Sequence, residues 1–251
     1  MRYVAVLRRK GHVATSLISE TSKILREEGF SAALRFAGTV ARGVLREQFA
    51  GSQPRKTNIV DQRFGTDTAQ NLKLHRLEIP GPNYQHAVYY RATDFPILSE
   101  ILDRLSLRHE EYTFIDFGSG KGLVLLQAAG YPFRRVIGVE FARELHEIAC
   151  ANVNRYPPEL RRCPIELVHG DVVSYSLPDG NLVLYLYEPF DSVVTSQVIS
   201  RIQRCHRGRD FIIACVWSSD SRLSCRRLWD EQTFLRTVDR GEHWTIYRAE
   251  A

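Results

Sequence analysis

The segment Phe114–Val124, FIDFGSGKGLV, constrains the fold more tightly than any other stretch of this chain. An apolar run ends in Asp116-Phe117, a Gly-x-Gly-x-Gly turn follows over Gly118–Gly122, and a helix-like run begins at Leu123. Glycines at such a turn permit positive φ and leave bare backbone for a ligand to lie against. In a doubly wound sheet that ligand sits beyond the carboxyl end of the first strand. The neighbouring residues exclude two common versions of the site. A dinucleotide-binding turn needs a third glycine at position 123, which is Leu123, and a P-loop needs a Gly-Lys-Ser/Thr that does not follow. What remains is an acid, Asp116, two positions ahead of the first glycine, and a small Ser119 between glycines. A plain strand-to-helix turn with Asp116 as a cap is the alternative.

Two further acids fall where such a site needs them. Val136–Glu140 reads as a second strand ending in a carboxylate about 20 residues after the turn, the placement that takes a ribose diol in paired hydrogen bonds. At the end of a third strand, His169-Gly170-Asp171-Val172 offers a carboxylate for an adenine amine and an apolar side chain for the ring; a simple turn Asp fits equally.

From residue 112 onward strands and helices alternate, the signature of parallel βαβ units. Strands are expected at Tyr112–Phe117, Arg135–Glu140, Ile165–His169, Asn181–Tyr187 and Arg209–Trp217, then near Phe234–Val238 and His243–Arg248. Helices are expected near Asp94–Leu107, Gly122–Gly130, Arg143–Tyr156, Ser192–His206 and Ser221–Gln232. The chain divides into a basic helical extension (1–50), an irregular linker or lid (51–93) and the main domain (94–251). The 51–82 stretch, with Gly51-Ser52, Pro54, Gly65 and Pro80-Gly81-Pro82, shows no sustained period.

The formal charge of +5 is concentrated in residues 1–50, which hold nine Lys/Arg against four acids and leave 25 of each sign elsewhere. That segment reads as a solvated helical face or as a footprint for an acidic partner, and no basic block is dense enough for nucleic acid. The longest apolar runs, Leu182–Tyr187 and Phe211–Trp217, are strand-sized, so no transmembrane segment is expected. Five cysteines without a CxxC pair read as reduced thiols in a cytoplasmic protein, and no metal site is expected.

Taken in order, DFGSGKG, GVE and HGD resemble the S-adenosylmethionine (SAM)-binding motifs of the class I methyltransferases, over roughly residues 85–217. The likeness is nearest to bacterial SAM-dependent methyltransferases of unassigned substrate, which share the Gly138-Val139-Glu140-Phe141 strand and the Glu144-Leu145-His146-Glu147-Ile148-Ala149 helix. More distantly the chain is similar to the non-SET histone lysine methyltransferases. The resemblance implies an α/β fold: a Rossmann-like doubly wound seven-strand sheet, mostly parallel with an antiparallel last strand, plus the N-terminal helical extension. It implies SAM as methyl donor, held by Asp116, Gly118, Ser119, Gly120, Gly122, Glu140, Asp171 and Val172. Asp116 would contact the methionine amino end or order the turn. Asp61–Thr68 and Tyr89–Thr93 also resemble that bacterial group, and Tyr90 would fold over the methionine moiety or anchor the linker.

The fourth strand runs into Glu188-Pro189-Phe190, where related enzymes carry Asn-Pro-Phe or Asn-Pro-Pro-Tyr. Glu188 in place of Asn trades an amide for a stronger base without a donor. Glu188, Pro189 and Phe190 are therefore the expected wall of the transfer site. The acceptor is expected to be a protein lysine or other amine, with a small molecule next and RNA last. The rival expectation is a SAM-binding or protein-interaction module without turnover.

Overall fold

The computed structural model describes residues 25, 26, 30, 58–69, 97–187, 190–217 and 225–250. The chain divides into two compact units, Met1–Arg55 and Lys56–Ala251, and all of the architecture below belongs to the second. The expected helices of residues 1–50, the Tyr89–Thr93 stretch and residues Glu188 and Pro189 lie outside the described residues.

Seven strands form one sheet: β1 (Tyr112–Phe117), β2 (Arg135–Glu140), β3 (Ile165–His169), β4 (Asn181–Tyr187), β5 (Phe211–Val216), β6 (Leu235–Arg240) and β7 (Trp244–Ala249). Their order is β3-β2-β1-β4-β5-β7-β6. The first five strands pair in parallel, and β7 enters antiparallel between β5 and β6. Near-continuous apolar runs make the central strands, and every residue of β1 and β5 is buried, as strands covered by helices on both faces must be. Around them lie α1 (Ile59–Phe64), α2 (Ile97–Leu105), α3 (Leu123–Ala128), α4 (Arg143–Arg155), α5 (Ser192–Cys205) and α6 (Arg226–Asp230).

Side chains alternate along each strand into two cores. Phe114, Val183, Tyr185 and Ile212 face one side, against Leu98, Ile101 and Leu102 of α2 and Leu125 and Ala128 of α3. Ile115, Leu184 and Ile213 face the other, against Val194, Val198 and Ile202 of α5 and Trp229 of α6. The doubly wound sheet with its antiparallel last strand is the expected one.

The strands keep their expected places to within two residues. The linker does not. Residues 59–64, which show no sustained period, fold as α1, with the Asn58 side chain accepting from the Asp61 amide at the start and Gly65 (φ 66°) closing the end. Val60 packs with Leu123, Leu126 and Val153, and Phe64 meets the Tyr156 ring edge-on at 5.0 Å. A helix under two turns long owes its existence to such caps and contacts rather than to propensity. None of the five cysteines forms a disulfide. No helix among the described residues is long and apolar enough to cross a membrane.

Candidate functional site

The strand order reverses between β1 and β4, and both strands point their carboxyl ends to the same edge of the sheet. In open α/β sheets that point is where a crevice for a ligand opens. The glycine turn leaves β1 there, and β4 ends beside it at Tyr187.

Gly118, Gly120 and Gly122 all adopt positive φ (83°, 52° and 85°). The Gly118 and Ser119 amides donate to the Val139 carbonyl at 2.9 and 3.2 Å, which lays the turn over the end of β2. Opposite it, Gly138 is required by space: a Cβ there would come within 2.4 Å of Leu125 Cδ1 and 2.8 Å of Ser119 Oγ.

Glu140 ends β2 beneath this turn, and its two carboxylate oxygens are divided between two loops. Oε2 accepts from the Gly120 amide and Oε1 from the Ala142 amide, each at 2.8 Å. Burial pushes the Glu140 carboxyl up to about 7, against the pull of the backbone amides of Ala142, Gly120 and Phe141. Asp116, near the end of β1, is also buried, at 3 % exposure. Burial first, and the charge of Glu140 second, hold it well above the usual carboxylate range. Each carboxylate oxygen has two lone pairs, so Glu140 can take hydroxyl donors besides the amides it already holds.

Asp171 follows β3. Its Oδ1 accepts from the Val173 amide at 2.8 Å, and its carbonyl accepts from the Ser174 and Tyr175 amides, so it builds the turn there. Val172 is buried in the second core. Beyond β4, Phe190 is buried with Leu186, Val194 and Trp217, and Asp191 caps α5 by accepting from the Val193 and Val194 amides at 3.0 and 3.1 Å. The backbone either side of Glu188 and Pro189 is thereby fixed at Tyr187 and Phe190. Glu188, Pro189 and Tyr90 themselves lie outside the described residues.

Lys121, in the middle of the turn, is fully buried, and the sequence reading gave it no role. Its Nζ donates to Asp67 Oδ1 at 2.9 Å. Asn152 of α4 joins both: its Nδ2 donates to the Lys121 and Asp67 carbonyls at 2.9 and 3.1 Å, and its Oδ1 accepts from the Asp67 amide at 2.8 Å. Upstream, the Asp61 carboxylate accepts from the Thr66 and Thr68 hydroxyls and from the Thr68 and Ala69 amides at 2.7–2.9 Å. Burial opposes its ionisation, and these hydrogen bonds overcome that and hold the carboxyl below its ordinary value.

The donor set fits SAM. Two buried carboxyls flank a bare glycine turn, and such a pair favours a ligand carrying positive charge and hydroxyl donors. Among the described residues no group of three or more His, Cys, Asp or Glu is placed to hold a metal ion.

Solved structures that share the fold include the methyltransferase domain of a bacterial Hen1 protein (14% identity, 62% of this chain and 97% of that one, TM-score 0.48). An RNA methyltransferase from Salinibacter ruber in complex with S-adenosyl-L-homocysteine is 21% identical over 62% of this chain and 91% of its own, with TM-score 0.43. A dimethyladenosine transferase from Plasmodium falciparum is 12% identical over 62% of each, also with TM-score 0.43. At these scores they add nothing to the sheet order already given. No curated protein matches the chain in sequence. The family described as histone methylation protein DOT1 matches residues 83–214, more than half of the chain and the whole of the glycine turn, Glu140 and Asp171. The chain therefore belongs to the DOT1 histone methylation family, and it is a SAM-dependent methyltransferase.

Proposed function

We propose that this methyltransferase acts on an amine, a protein lysine before a small molecule, with SAM lying across the carboxyl ends of β1, β2 and β3. The observation that carries the cofactor placement is the pair of buried carboxyls, Asp116 and Glu140, on either side of the glycine turn. In this reading Glu140 holds the ribose hydroxyls, Asp171 and Val172 the adenine, and Asp116 the cationic amino end of the methionine. Gly118, Ser119, Gly120 and Gly122 admit the ligand to the backbone, and Tyr90 covers it. The bound cofactor supplies a methyl on a sulfonium.

The remaining work falls to residues that position the acceptor in line and remove one proton from it. Glu188 is assigned that role. A carboxylate there attracts an ammonium and then accepts its proton, whereas the amide usual in related enzymes can only orient it. In this reading Glu188, Pro189 and the buried Phe190 form one wall of the transfer pocket. Membership of a histone methylation family supports a lysine acceptor, and the replacement of Asn by Glu188 favours the alternative of a binding module without turnover.

Incubation of the full chain with methyl-labelled SAM and cell extract, followed by sorting of label into protein, nucleic acid and small molecules, tests the reading. Label in protein lysine, lost in Glu188→Ala with SAM binding retained, is the expected result. SAM binding with no transfer to any fraction would establish the binding module instead. Label in RNA and not in protein would overturn the lysine assignment.

A further inference from the structure

A fully buried lysine in the middle of a cofactor turn is costly unless its charge is matched, because desolvation penalises it without a partner. Here an opposite charge comes from 54 residues upstream. Asp67 meets Lys121 through its carboxylate and meets Asn152 through both its amide and its carbonyl, and Asn152 in turn grips the Lys121 carbonyl. Lys121 is flanked by Gly120, whose amide donates to Glu140, and by Gly122, whose φ of 85° places it against Ala149. Holding Lys121 by its ammonium and by its carbonyl therefore restrains the backbone immediately after the Gly120 amide that donates to Glu140. Three glycines with positive φ have little stiffness of their own, and without that anchor the turn would sample other conformations.

From this arrangement we infer that Asp67 is a positioning residue for the SAM site, and that docking of residues 58–69 and occupation of the glycine turn are coupled through Lys121. The inference rests on the placement of SAM proposed above. Asp67 touches no part of the proposed ligand site; it acts through Lys121 and Gly120 on Glu140. The segment is itself preorganised to present Asp67, since Asp61 gathers Thr66, Thr68 and Ala69 around one carboxylate. A ligand that holds the turn in this conformation stabilises the docked segment, and the docked segment raises the affinity for the ligand by the same factor.

The test compares the full-length wild type with Asp67→Asn, Lys121→Met and the double variant. Calorimetric titration with SAM and with S-adenosyl-L-homocysteine should show each single variant weakened roughly tenfold for both ligands, as loss of preorganisation predicts. The double variant should be no weaker than either single one, since all three break one interaction. Asp67→Asn removes the opposite charge beside a buried ammonium and should melt lower, while the double variant, free of that ammonium, should recover the melting temperature but not the affinity. Recovery of affinity together with stability would overturn the positioning role, as would ligand affinities within about twofold of wild type in any folded variant. Hydrogen exchange at the Gly120 and Gly122 amides without ligand gives a second readout. Faster exchange in Lys121→Met is expected, and unchanged exchange refutes the coupling. Failure of the wild type to bind either ligand would refute the SAM placement instead, and hydrogen exchange would then decide the coupling alone.

Discussion

With SAM placed as proposed, Glu140 is the residue whose ionisation connects folding with ligand binding. Its ordinary value is 4.5 and its folded value is about 7, so between those values the folded chain keeps a proton that the unfolded chain has released. Where the folded state binds more protons, stability falls as pH rises, so its contribution turns unfavourable across that window. In the proposed placement ribose hydroxyls donate to the ionised form, as the Gly120 amide does. Binding of SAM should therefore expel the proton, and affinity should decline below about pH 7, by at most about tenfold per pH unit. Calorimetry in buffers of different ionisation enthalpy counts that proton directly. Glu140→Gln removes that titration and one charge-assisted acceptor, so its affinity should depend less on pH, keeping only the part that Asp116 carries. It should also be lower by about 2 kcal/mol, roughly 30-fold. A wild-type affinity independent of pH between 4.5 and about 7 would show that the carboxylate does not take the hydroxyls.

Elements differ in how far local pattern determines them. The central strands were legible because strands buried on both faces must be written as continuous apolar runs, and Leu182–Leu186 is such a run. Glu140 was legible through its position at the end of one of them. The α1 helix was not, because six residues carry too little period to register; only Asn58, three residues before Asp61, and Gly65 marked its ends. Lys121 was illegible for a different reason. Nothing within the turn tells a buried lysine from a solvated one, and the deciding partner, Asp67, is remote in sequence. Two substitutions test these elements separately. Asp61→Ala removes an acceptor shared by four donors and should loosen residues 58–69 by about 3 kcal/mol. Limited proteolysis should then cut within that segment while the sheet stays protected. Gly138→Ala forces a methyl onto Leu125 and Ser119 across the junction of β2, α3 and the glycine turn, and overpacking of this kind costs about 1–3 kcal/mol. Denaturant unfolding should register that loss, and SAM affinity should fall with it because Ser119 belongs to the turn.

Across the whole molecule the two edges of the sheet divide the labour. The carboxyl edge carries positive-φ glycines and buried acids; the amino edge carries a polar tie that holds strands in register. There the Tyr112 hydroxyl, at the start of β1, donates to Asp210 just before β5, and Arg248 of the antiparallel β7 donates to the same carboxylate through two nitrogens. Burial works against ionisation of Asp210, but the Arg248 and Tyr112 hydrogen bonds outweigh it and hold the carboxyl below its ordinary 3.8. Its contribution is thus present above that value and lost as pH falls through the lower folded one. Burial, with the Asp210 hydrogen bond second, pushes the Tyr112 phenol from 10.0 up to about 12, so that contribution is present below 10.0 and lost as pH rises to about 12. Asp210→Ala should remove both ends of this profile and about 2 kcal/mol with them, lowering the melting temperature by about 5 °C. Its affinity for S-adenosyl-L-homocysteine should stay within about twofold of wild type, since sites this far apart on a rigid sheet act independently. Glu140→Gln should do the reverse, losing affinity without a fall in melting temperature. If Asp210→Ala instead lost affinity in proportion to stability, the two edges would be one cooperative unit, and the turn's conformation would depend on the sheet as a whole rather than on Glu140, Lys121 and Asp67.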